Sequence, residues 1–204
     1  MNNINQESYN EISSIWDNYR KSRPINKCII DFAQLLKENG RVLDIGCGSG
    51  YPIDQYLDNL GFHVLGIDIS SKMIEKANTL RLKNSSFLVC DFMDFDSDNK
   101  YDAIIAFDSL WHISDCFQEQ IYIKIAELLN INGYLLFTAG INKEAISGTM
   151  FNKQFFYYSI NKNDLKQLLT SNGFSIISWF ENYQEESTGT RDLLVIAKKT
   201  RREK

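Results

Sequence analysis

The residues read as an α/β chain with parallel strands. Arg41 to Ile45 is short, β-rich and apolar enough for a buried parallel strand. Gly46, Gly48 and Gly50 follow at every second position and permit a turn that side-chained residues resist. Pro52 then stands where a first helical turn tolerates proline, with Ile53, Tyr56, Leu57 and Leu60 at helical spacing up to Gly61. Strand, glycine loop and helix in that order aim backbone N–H groups and a helix N-terminus at a ligand brought close to the main chain. Strand and helix patterns then alternate along the sequence.

The loop's details select among ligands. A dinucleotide loop follows G-x-G-x-x-G, and with glycines at 46 and 48 the third position falls on Tyr51, which disfavours a nicotinamide dinucleotide. Asp44 would repel a pyrophosphate but suits a cationic amino group. The run Asp44-Ile45-Gly46-Cys47-Gly48-Ser49-Gly50 resembles the first motif of the class I S-adenosylmethionine-dependent methyltransferases, and the resemblance continues in order from about Tyr19 to Lys198. It implies a Rossmann-like, seven-stranded sheet, mostly parallel with an antiparallel last strand and helices on both faces, as a single domain over 1–204. It also implies S-adenosyl-L-methionine across the carboxyl ends of the first strands and S-adenosyl-L-homocysteine as product. Asp44, Gly46, Cys47, Gly48 and Gly50 would line the methionine half. A structural glycine turn in another α/β protein is the alternative.

Composition narrows the class. The 204 residues, 44% hydrophobic and 13% aromatic, suffice for one sizeable core without staples. No run approaches the length of a membrane span, and the start, Met-Asn-Asn-Ile-Asn-Gln-Glu, lacks a basic-then-apolar signal, so a cytoplasmic location is expected. Cys28, Cys47, Cys90 and Cys116 are scattered and there are two histidines, so neither a disulfide framework nor a metal site is suggested. A net charge of −4 and a pI near 5.3 disfavour a broad nucleic-acid footprint. Lys198, Lys199, Arg201, Arg202 and Lys204 form a local basic patch, read as a solvated tail.

Taken in order, Tyr9, Ile12, Trp16 and Tyr19 mark one face of a helix over residues 6 to 20, an N-terminal cap within 1–22. By the resemblance, Tyr19 and Arg20 lie over the cofactor, where the forked donors of Arg20 suit a carboxylate. Pro24 opens a second helix, with Ile29, Ile30, Ala33 and Leu36 inward. His63 to Ile67 is the second strand, and Asp68 falls 18 residues beyond Gly50, where a carboxylate accepts from vicinal ribose hydroxyls; Ile69 follows it. Ser70 caps a helix whose Met73 either touches adenine, as the resemblance implies, or packs in the core.

Ser86 to Cys90 is the third strand, and the resemblance places Asp91 on the adenine amino group with Phe92 beside the ring. Tyr101 to Phe107 is the fourth. The segment Phe107, Asp108, Ser109, Leu110, Trp111, His112 then borders the same crevice, with Phe107 and Trp111 toward the cofactor. Ser114 is expected to cap a helix carrying Phe117, Ile121, Ile125 and Leu128, before a strand over Tyr134 to Thr138. Residues 140–158, with Phe151, Phe155, Phe156, Tyr157 and Tyr158, read as a substrate lid. Asn161 caps a further helix, and strands over Phe174 to Phe180 and Leu193 to Lys198 flank a polar loop.

A methyl sulfonium is already activated, so alignment dominates, and it can lower the barrier by roughly 7–11 kcal/mol. If the nucleophile loses a proton, His112 is the expected base, because its unperturbed pKa lies near neutrality, with Asp108 and Tyr158 in reserve. Both Pro-containing signatures of base methylation are absent, since the only prolines are Pro24 and Pro52. The expected acceptor is a small molecule, with the protein a monomer or homodimer. Methylation of tRNA or protein and a non-catalytic partner subunit are the alternatives, with a dehydrogenase as a more distant one.

Overall fold

A computed structural model describes residues 4–185 and 189–200. Seven strands form one sheet: β1 (Arg41–Ile45), β2 (His63–Asp68), β3 (Ser85–Val89), β4 (Tyr101–Ala106), β5 (Leu129–Ala139), β8 (Phe174–Glu185) and β9 (Gly189–Lys199), in the order β3-β2-β1-β4-β5-β9-β8. β1, β2, β3, β4 and β5 pair in parallel, and β9 runs antiparallel between β5 and β8. A separate hairpin holds β6 (Glu144–Met150) and β7 (Lys153–Ser159).

Strand alternation splits the core in two. Leu43, Ile45, Ile104, Leu135 and Phe137 face α5 (Gln118–Leu128) and α6 (Lys162–Ser171), which contribute Ile121, Tyr122, Ile125, Leu165 and Leu169. Val42, Val64, Ala103, Ile105 and Leu136 face α2 (Lys27–Ala33) and α3 (Ile53–Asn59), with Ile29, Phe32, Ile53 and Leu57 between them. The central strands are buried on both faces, which is why they read as continuous apolar runs. α1 (Ile4–Lys21) packs against α4 (Ser71–Thr79) and β7, across the carboxyl ends of the parallel strands.

Several boundaries differ from the expectation, each for a local reason. Asn26, extended, precedes α2, so the helix begins three residues after Pro24. Ser114 makes no side-chain cap, and two 3₁₀ turns (110–112 and 115–117) separate β4 from α5, leaving Phe117 exposed. β8 and β9 extend through the expected polar loop, pairing Tyr183 with Arg191 and Glu185 with Gly189. Within 140–158 the chain forms the β6–β7 hairpin. Its turn is Phe151-Asn152, with φ +49° and +61°, the left-handed pair that two-residue hairpins favour.

Lys198 and Lys199 belong to β9 rather than to a tail. Lys199 Nζ donates to the Leu129 carbonyl at 3.0 Å, and Lys198 lies over the Tyr134 ring. Arg201, Arg202 and Lys204 lie outside the described residues. No helix among the described residues is long and apolar enough to cross a membrane.

Candidate active site

Four acids stand at or just past the carboxyl ends of neighbouring parallel strands: Asp44 in β1, Asp68 closing β2, Asp91 after β3 and Asp108 after β4. Chain order reverses between β1 and β4, the point where open α/β sheets place their ligands. A cavity of about 140 Å³, partly open to solvent, lies there. Among the expected site residues, Arg20, Asp44, Gly46, Cys47, Gly48, Asp68, Ile69, Met73, Asp91, Phe92, Phe107, Asp108 and His112 line it.

The glycine turn works differently from the expectation. The N–H groups of Gly46 and Cys47 donate to the Ile67 carbonyl at 2.8 and 3.0 Å, Gly48 N–H donates to Asp68 Oδ2 at 2.9 Å, and Gly50 N–H donates to the Cys47 carbonyl. These amides hold the turn to β2 and are not free for an anion; α3, seven residues long, offers no extended dipole either. What the turn presents is bare backbone. A Cβ on Gly48 (φ +57°) would point into space, its nearest neighbour being Trp16 Nε1 at 3.9 Å. Gly50 is a correction: it lies outside the cavity walls, where a Cβ would collide with Phe87 at 2.8 Å, so its role is packing.

Asp68 lines the cavity and braces this turn and the start of α4 together, accepting from Gly48 N–H and Ser70 N–H, and each oxygen keeps capacity for a further donor. Desolvation pushes its carboxyl up to about 6, with the two amides pulling the other way. Asp44 is 2% exposed, and desolvation pushes it up to about 7. Arg20 is buried on the last turn of α1 and faces the cavity near Asp108 and Arg191. A carboxylate near Arg20, an ammonium near Asp44, a diol near Asp68 and a ring between Phe92 and Met73 describe a ligand that is amino acid and nucleoside at once. The residues present therefore fit S-adenosylmethionine.

Tyr19, Trp111 and Tyr158 also fall outside this cavity. Tyr19 stacks on Trp16 at 5.5 Å between ring centres, with Arg23 over its other face at 4.2 Å, and Trp16 takes the cavity-facing position. Trp111 and Tyr158 line a second cavity of about 230 Å³, together with Glu144, Tyr157 and Arg191. Asp108, with φ +58°, is tied to Arg191 through Nε at 3.0 Å and Nη2 at 2.5 Å, so its carboxylate is committed to an ion pair rather than open as a base.

His112 reaches the cavity inside a network. Its Nδ1 lies 3.0 Å from the Phe156 carbonyl and must carry the proton there, so Nε2 is an acceptor, facing Tyr9 Oη at 3.0 Å and Trp111 Nε1 at 3.3 Å. Desolvation lowers its pKa to about 4, partly offset by the Phe156 carbonyl. Protonating Nε2 would also set it against the indole N–H, which can only donate. In the resting site His112 is thus a neutral imidazole whose Nε2 accepts from Tyr9 and, at longer range, from Trp111. Tyr9 itself lines the cavity, although its sequence pattern marks it only as a helix-face residue. Its pKa is raised well above the ordinary value, by desolvation first and nearby Asp68 second. The recurrence of Tyr9 and Trp16 on one helical face was the available signal for both.

A family model described as a methyltransferase domain matches residues 36–173. The chain belongs to the methyltransferase-domain family. The matched span contains the glycine turn, all four acids and His112, whereas α1, which supplies Tyr9 and Arg20, precedes it.

Among relatives of this chain, phosphoethanolamine N-methyltransferase 2 of Caenorhabditis elegans is 28% identical over 151 residues, 68% of this chain but 33% of that protein. A ubiquinone biosynthesis O-methyltransferase of Pelagibacter ubique is 29% identical over 167 residues, 70% of this chain and 68% of its own length. The chain thus spans about a third of the first relative. The solved complex of DhpI with S-adenosylhomocysteine superposes with a TM-score of 0.72 at 23% identity, covering 98% of this chain and 97% of the other. A SAM-dependent methyltransferase of Methanosarcina mazei gives 0.69 at 24% identity, covering 83% and 96%. The fold is the Rossmann-like methyltransferase fold.

Proposed function

We propose that this methyltransferase moves the methyl group of S-adenosylmethionine to an O, N or C nucleophile of a small molecule, releasing S-adenosylhomocysteine. One observation carries the reading: the Tyr9–His112 hydrogen bond opens onto the same cavity as Asp44, Asp68 and Arg20. The cofactor, when bound, supplies a methyl on positive sulfur. The chain's own residues do the rest. Asp44 and Arg20 would hold the two ends of the amino-acid portion, Asp68 the ribose hydroxyls, and Asp91 with Phe92 and Met73 the adenine.

As an O–H or N–H nucleophile attacks, Tyr9 Oη would take its proton while passing its own to His112 Nε2, leaving an imidazolium held by the Phe156 carbonyl. A carbon nucleophile could use the same path after attack. His112 thereby acts through Tyr9 rather than directly, and Asp108 positions Arg191. The acceptor would enter from the second cavity, past Tyr157, whose ring centre lies 5.0 Å from that of His112.

In this reading residues 1–204 are one methyltransferase domain, α1 is its cap and the β6–β7 hairpin its lid. The names of the relatives, which include phosphoethanolamine and ubiquinone pathways, support a small acceptor. The four free cysteines and the acidic pI support a cytoplasmic monomer or homodimer that does not use nucleic acid.

Native mass spectrometry of the purified protein with S-adenosylhomocysteine, followed by metabolite extracts and methyl-labelled cofactor, tests the reading. A bound nucleoside and a labelled small product are expected. Failure to bind either form of the cofactor, or label transfer confined to RNA or protein, overturns it.

A further inference from the structure

The buried acid Asp54, in the first turn of α3, has no part in the mechanism above. It is 0% exposed, and neither carboxyl oxygen has a hydrogen-bond donor. Asp44 is the charged group that acts on it, at hydrogen-bonding range. The two approach because Asp44 projects from β1 on the same face as Val42, the face that α3 covers through Ile53 and Leu57. At 2% exposure Asp44 is nearly as dry. Two ionised carboxylates in this position would repel one another in a poorly solvated environment, and Asp54 would remain an acceptor without a donor. A single proton between them removes both penalties, since the protonated oxygen donates to its neighbour.

We propose that Asp44 and Asp54 share a proton in the ligand-free protein and that this proton leaves to solvent when the cofactor's ammonium group arrives, making Asp54 the positioning residue that sets the charge of Asp44. The inference rests on the cofactor assignment above. It extends that assignment to a residue outside the cavity walls, which touches the ligand only through Asp44. Proton and ammonium compete for the same site, so affinity rises with pH until the pair has lost the shared proton.

The other charged or titratable groups around the pair are Asp68 from β2, Cys47 from the glycine turn and Arg20 from α1. The Cys47 thiol is held well above its ordinary value by desolvation and the acids, and therefore stays neutral. Arg20 is charged throughout. Asp68 titrates at about 6, so it could add proton release below that pH but adds little at pH 7 and above.

The test is calorimetric titration of S-adenosylhomocysteine into the full chain at pH 7, in buffers of differing ionisation enthalpy. Wild type is expected to release a substantial fraction of one proton per site, and its affinity to rise up to about tenfold per pH unit below the titration of the pair. Asp54→Asn supplies Asp44 with a permanent amide donor, so its proton release should fall to near zero and its affinity should become flat in pH. Tight binding by wild type with no proton release at pH 7 overturns the proposal, and so does undiminished release by Asp54→Asn. The wild-type measurement stands even if the variant fails to fold. Absence of binding at every pH would instead overturn the cofactor assignment, with this proposal falling as a consequence.

Discussion

At the scale of residues, the proposed relay would rest on a histidine whose ordinary properties have been altered. An imidazole lowered to about 4 is free base above that value. The turnover rate should therefore stay level from about pH 5 upward, without the loss below 6.5 that an unperturbed histidine base would impose. His112→Gln and Tyr9→Phe should each lower kcat for an O–H or N–H acceptor by roughly 10²–10⁴-fold, the range for general acid–base groups, while S-adenosylhomocysteine affinity by calorimetry stays near wild type. A Tyr9→Phe variant of full activity would remove the relay. Gly48→Ala separates packing from access. Its left-handed φ should cost about 1–2 kcal/mol of stability, seen in urea unfolding, but the methyl projects into the cavity and should reduce S-adenosylhomocysteine affinity far more. Much of this was legible because acids at strand ends and glycines in the turn have fixed chemical meanings. The Tyr9–His112 contact was not, since 103 residues separate its partners.

At the scale of elements, the site is closed by parts that meet only through side chains. Asn5 in α1 reads the backbone of β7 as a strand would: its Oδ1 accepts from Phe156 N–H at 2.8 Å and its Nδ2 donates to Phe156 C=O at 3.0 Å. Ser8 adds a bond to the Gln154 carbonyl, and Gln6 and Asn10 reach across to Ile69 and Ser70 at the start of α4. Asn5→Ala leaves the Phe156 N–H without its partner while the Phe156 carbonyl keeps His112 Nδ1, an expected cost of about 1–3 kcal/mol. Hydrogen exchange should accelerate in α1 and β7 while the amides of β1 and β4 stay protected. Equal acceleration in the central strands would mean that α1 is part of the global folding unit rather than a separable cap. The β6–β7 pairing was illegible because Phe151-Asn152 lacks the glycine that normally announces such a turn. The long β8–β9 hairpin was illegible because Glu181, Asn182, Gln184 and Glu185 are polar. Glu185 is nevertheless anchored, by the Asn26 amide at 2.7 Å and the Tyr183 hydroxyl at 2.6 Å.

At the scale of the whole molecule, the cavity stores unfavourable electrostatics that the ligand relieves. Asp44 and Asp54 have folded pKa values above their unfolded ones, with desolvation the first cause in each. Between pH 6 and 8 the unfolded aspartates bind almost no protons, while on the proposal above the folded pair shares one. Stability of the ligand-free protein should therefore fall as pH rises through about 7, by up to ~1.4 kcal/mol per pH unit for each proton held only when folded. Thermal melts across that range should show the fall. Saturating S-adenosylhomocysteine should reduce it, because ammonium replaces the proton, and a melting temperature that rises over the same interval would contradict the account.

Sequence alone settled the α/β class, the parallel order implied by a glycine turn after a buried strand, and the placement of the acids at 44, 68 and 91 at strand ends, because local backbone geometry is a short-range property. Tertiary structure decided which hydroxyl faces His112, which rings line the cavity and which acid lies behind Asp44. These depend on the angle at which α1, α3 and the β6–β7 hairpin pack on the sheet, and packing distances between remote segments set both desolvation and hydrogen-bond partners.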